Sequence, residues 1–82
     1  MVSTYYKNQG DLIASLITVI DDYFKNDITE SQMFDSIKLI YNNNKDFVIR
    51  DGDIAYTIKR RLGKRRMNVL KGVLNVNGKD RY

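Results

Sequence analysis

The reading of one stretch, "KRRLGKRR" at residues 59–66, decides the fold: two identical basic triplets stand on either side of Leu62 and Gly63. If a single helix ran through it from Asp53 to Leu74, the apolar stripe of Ile54, Ile58 and Leu62 would be rotated by roughly a hundred degrees from that of Met67, Leu70 and Leu74. Three large apolar side chains would then face water. A stop at Gly63 lets each segment turn its own stripe inward, and glycine just past a helix is the commonest stop signal. The sequence therefore predicts a helix over 53–62, a glycine corner, and a further helix over 64–75.

Upstream, Leu12, Ile13, Leu16, Ile17, Ile20, Tyr23 and Phe24 recur at helical spacing, which predicts a helix over 9–25 with Asn8 or Gly10 at its start and Asn26 at its end. The next start is marked by "ITESQ", where Thr29 and Gln32 have capping-box spacing, and the stripe Met33, Phe34, Ile37, Ile40 and Tyr41 carries that helix over 30–43. The short connection between the two predicts an antiparallel helical hairpin. "KDFVIRDG" at 45–52 is apolar enough to form a strand but shows no partner, so it is expected to be a loop that plugs the core, closed by a turn at Asp51-Gly52. Asp53 is the expected N-cap of the third helix. After the last helix, Asn77-Gly78 reads as a turn before a basic tail over 76–82.

The fold class is thus all-α: a single small domain over 1–82 with about four helices, a helical hairpin packed on a basic helix-turn-helix-like corner. Eighty-two residues leave room for one domain, near the size at which a core is marginal without staples. Cysteine and histidine are absent, so disulfides, thiolate or imidazole chemistry and the usual zinc sites are excluded. Nothing in the first residues reads as a leader and no apolar run reaches about 20 residues, so a cytoplasmic protein without membrane attachment is expected.

Charge is unevenly placed. Residues 1–55 hold five Lys/Arg and nine Asp/Glu, whereas 56–82 hold nine and one. Inside "KRRLGKRR" four of six cations are arginine; outside it six of eight are lysine. Arginine's planar fork suits phosphate and carboxylate, whereas lysine suffices for solubility. Basic runs ordinarily do no more than solvate a helix face, and for Lys59, Arg60 and Arg61 the helix dipole supports that reading, since positive charge is favourable at a C-terminus. Lys64, Arg65 and Arg66 begin a helix, where the same charge is unfavourable. An anion is expected to offset it: Asp21, Asp22, Asp27, Glu30 or Asp35 of this chain or of a second copy, a nucleic-acid phosphate, or an acidic protein surface.

Periodicity turns Arg65, Asn68 and Gly72 outward with Lys64 and Lys71 on the flank, and sets Arg66 at the stripe's edge, where a structural ion pair is expected. The expected anion-binding set is Lys59, Arg60, Arg61, Lys64, Arg65, Asn68 and Lys71. Within it, Arg65 and Asn68 are the candidates for base readout, and Tyr56 shares an outward face with Arg60. "RDGDIAY" and Asp21-Asp22 offer carboxylate pairs that read as turn and cap, so no metal, cofactor or enzyme activity is expected.

With Gly63 set at the turn glycine, residues 53–74 are similar to helix-turn-helix proteins at Ile58, Leu62 and Val69. They depart from that pattern at Lys59, Lys64 and Gly72. "YYKNQGDLIASL" and "LGKRRMNVLKGVL" resemble a group of small uncharacterised proteins of low-GC Gram-positive bacteria, their phages and plasmids, a resemblance that implies context and no mechanism. The function expected is a non-enzymatic nucleic-acid-binding accessory or regulatory protein, with DNA favoured over RNA. The alternative is a module or inhibitor of mobile-element type that recognises an acidic protein. Homo-oligomers are a further expectation from the charge asymmetry.

Overall fold

The structure, a computed structural model, describes residues 6–74. Residue 75, expected to end the last helix, the Asn77-Gly78 turn and the basic tail lie outside them. Helix α1 spans Gln9–Phe24, opened by Asn8, whose side chain accepts a hydrogen bond from the Asp11 amide. It buries Leu12, Ile13, Leu16, Val19 and Ile20. Asn26 adopts φ 64°, and the amides of Asn26 and Asp27 donate to the carbonyls of Tyr23 and Asp22. This is the Schellman pattern, which gives two carbonyls of the last turn their partners.

Helix α2 spans Glu30–Asn43 and begins with the full capping box: the Thr29 amide donates to Gln32 Oε1 at 2.8 Å and the Gln32 amide to Thr29 Oγ1 at 3.1 Å. It buries Met33, Ile37 and Ile40. Phe34 departs from the expected stripe. It lies on the solvent side, 37% exposed, with the Lys38 ammonium 5.0 Å from its ring centre.

The connection to the basic half is more structured than the loop expected there. One helical turn, α3 (Lys45–Val48), leads into strand β1 (Ile49–Arg50), which pairs antiparallel with β2 (Asp53–Ile54). Asp51 (φ 54°) and Gly52 (φ 81°) form the two-residue link, and positive φ at both positions is what a tight hairpin requires. Val48 does plug the core, at 1% exposure. The partner strand lies in residues expected to start the third helix, and that corrects a second reading. Asp53 is no N-cap: its carboxylate accepts the Ile54 amide at 2.7 Å and pairs with Lys59. The helix begins at Tyr56, and the Ala55 carbonyl takes the Ile58 and Lys59 amides.

Helix α4 (Tyr56–Leu74) is broken at Gly63, whose φ of 79° and ψ of 172° lie in a region essentially reserved for glycine. The break divides it into a first arm, 56–62, and a second, 64–74. Ile58 and Leu62 of the first and Met67, Leu70 and Val73 of the second are all buried in the one core. α4 packs on both α1 and α2. The all-helical hairpin and bent helix stand as the sequence implies, with the small β-hairpin added between them.

Candidate anion-binding corner

The two basic triplets flank the bend at Gly63, and they meet different surroundings. In the second triplet, Arg66 reaches across to α1. Its Nε and Nη2 donate to Asp21 Oδ1 and Oδ2 at 2.9 and 3.0 Å, and Nη1 donates to the Leu62 carbonyl at 3.3 Å. One guanidinium thus closes a bidentate ion pair and also binds the carbonyl of the last residue before the break. The Arg66 hydrogen bond holds the Asp21 carboxyl below the usual carboxylate range, and Asp21 raises Arg66 in turn. Arg65 stacks over the Phe24 ring at 4.1 Å from its centre. Its plane is therefore set by α1 rather than standing away beside Asn68. Lys64, between the bend and Arg65, is exposed and makes no ion pair among the described residues.

In the first triplet, Lys59 is half-buried and bound to Asp53, which that bond and the Ile54 amide hold below its ordinary value. Arg60 and Arg61 are exposed, and among the described residues neither has an ion-pair partner. Asn68 is exposed on the second arm and lines a shallow groove with Phe34 and Gly72. Lys71, exposed further along that arm, exerts its charge on Asp53 at the base of the first arm, away from the bend. Of the seven residues expected to bind an anion, Lys64 and Arg65 share a surface at the bend with Asp21 and Phe24, Arg60 and Arg61 are exposed on the last turn before it, and Lys59, Asn68 and Lys71 meet other surroundings.

Internal neutralisation is correspondingly limited. Of the five acids expected to compete for the corner, Asp21 reaches it; Asp22 and Asp27 flank Lys25 at 3.6 and 3.7 Å. Glu30 and Asp35 are exposed on α2 and form no ion pair among the described residues. Sequence reasoning missed Phe24 as the platform under Arg65, because its place on the α1 stripe marks it only as core. No group of three acidic residues is placed to hold a metal ion among the described residues, and no described helix is long and apolar enough to cross a membrane.

Fold and corner together define a small, mostly helical domain that presents a bent, arginine-bearing surface. The chain belongs to the family whose model is described as CLB_0814_fam, conserved hypothetical protein, which matches residues 3–75. No curated protein and no solved structure matches it, so the similarity of residues 53–74 to helix-turn-helix proteins gains no support there. The single-residue break at Gly63 also differs from the three- to four-residue turn of that motif.

Proposed function

We propose that this protein is a non-enzymatic, cytoplasmic nucleic-acid-binding accessory or regulatory protein, with DNA the first partner to test, that binds phosphates at the Gly63 bend. The observation that carries the reading is the set Arg60, Arg61 and Lys64: three exposed cations on adjoining turns, with no ion pair among the described residues, beside a guanidinium already oriented by Phe24. Crowded like charges are unfavourable unless a counter-charge arrives, and a chain of phosphates supplies one per nucleotide. The phage or plasmid setting suggested by the sequence is part of the same proposal. Its test is fluorescence anisotropy of labelled duplex and single-stranded DNA and RNA from about 50 to 200 mM salt. Micromolar or tighter binding is expected, with log affinity falling linearly in log salt by about 0.7 to 0.9 per phosphate contact. No binding to any of them at low salt would overturn the reading and leave an acidic protein as the partner to seek.

A further inference from the structure

Tyr56 has no explanation in the core, in the ion pairs or in the bend. It stands at the start of the first arm, 74% exposed, one turn before Arg60 on the same face. It also lines an open cleft of about 360 Å³ with Gln9 and Arg50. Gln9 Nε2 donates to the Phe47 carbonyl at 2.9 Å and Arg50 Nε to the Asp46 carbonyl at 3.4 Å, so the protein itself orients both groups beside an exposed aromatic residue that can receive a flat nitrogenous ring. The cations next to them along the arm are the unpaired Arg60 and Arg61. A duplex presents phosphates to such a surface but keeps its base faces stacked inside. Only an unpaired strand has both to offer.

Resting on the nucleic-acid reading above, we infer that the partner is single-stranded nucleic acid, one base stacking on Tyr56 at the mouth of the cleft while the neighbouring phosphates lie along Arg60, Arg61 and Lys64. Base–aromatic stacking tolerates any base, so the contact adds affinity with little sequence preference. It also gives the first arm a role the second lacks, because Arg65 already has its aromatic partner inside the protein.

The chain contains no tryptophan, so Tyr56→Trp creates a single indole at an exposed position that packs against nothing essential. Titrating this variant with oligo-dT, oligo-U and a duplex of equal phosphate number should quench the indole with both single strands and leave it nearly unchanged with the duplex. The oligo-dT and oligo-U arms distinguish DNA from RNA. Tyr56→Ala should weaken single-strand binding, read by anisotropy, at least about fivefold without changing its salt slope. Binding by anisotropy with no quenching, an unchanged affinity in Tyr56→Ala, or a preference for duplex would each overturn the single-strand inference and leave the phosphate reading standing. Absence of any binding would overturn both.

Discussion

The triplets Lys59-Arg60-Arg61 and Lys64-Arg65-Arg66 have the same sequence and opposite fates. The first closes an arm and leaves its two arginines in solvent; the second opens an arm, and its two arginines are held by Asp21 and by the Phe24 ring. The helix dipole accounts for the direction of the difference. Positive charge is tolerated at the C-terminal end of the first arm without a partner, and at the N-terminal end of the second it calls for one. Composition alone therefore says little about which cations are available to a ligand. For the arginines, position relative to Gly63 decides it; the lysines run the other way, Lys59 paired with Asp53 and Lys64 exposed with no ion pair among the described residues.

The largest expected break of this asymmetry is on binding. Arg60→Glu with Arg61→Glu should lower nucleic-acid affinity by roughly 30- to 100-fold at about 0.1 M salt and flatten the salt slope by about two contacts, with the melting temperature little changed. Equal losses from Arg66→Glu in a folded variant would show that the triplets are not divided as described. Next comes the bend. Gly63→Ala forces a Cβ into a backbone region that excludes it and should cost about 1–3 kcal/mol in urea unfolding, although nothing lies within 4 Å of the new methyl. A neutral result would mean that the arms hold without the glycine conformation.

A smaller effect concerns acid. Asp21 is lowered from 3.8 by Arg66, so its pairing contributes fully above about pH 4 and is lost as pH falls through the lower folded value. Asp21→Asn should therefore melt at a lower temperature than the parent near neutrality and converge on it in acid, once the pH has fallen through the lowered value of the parent's carboxyl. Parallel melting curves across that range would remove the ion pair from the account of stability. The smallest shift belongs to Phe24→Leu, which takes the ring from under Arg65 and should lose about 0.5–1 kcal/mol beyond any packing change. Arg65→Gln in the same background should then add almost nothing, a double-mutant cycle that isolates the stack.

Much of this architecture is legible in the sequence where one local rule acts alone. The Thr29–Gln32 box, the Asn26 stop and the Gly63 break each rest on a few adjacent residues, and each is found in place. The β-hairpin is harder to see because its two strands are two residues long and the second begins with an aspartate, which is equally good before a helix. Pairing across Asp51-Gly52 wins, and the helix start moves to Tyr56. At the corner, periodicity sets Arg66 on the edge of the apolar stripe, from which it reaches Asp21. The Arg65–Phe24 stack escapes the pattern because it joins residues 41 positions apart through the packing of α4 on α1.

The break at Gly63 also places the chain one substitution from a different assembly. With a helix-forming residue there, Tyr56–Leu74 would extend as one rod of about 28 Å, and the second arm would leave the α1–α2 hairpin it now covers. Met67, Leu70 and Val73 would find the same apolar seat on the hairpin of another copy, an exchange of arms between chains that conserves nearly every contact. Sizing chromatography of Gly63→Ala at rising concentration would show the exchanged dimer as an earlier peak, and a single concentration-independent peak would exclude it. One glycine would then set both the curvature of the basic surface and whether each chain keeps its own helix.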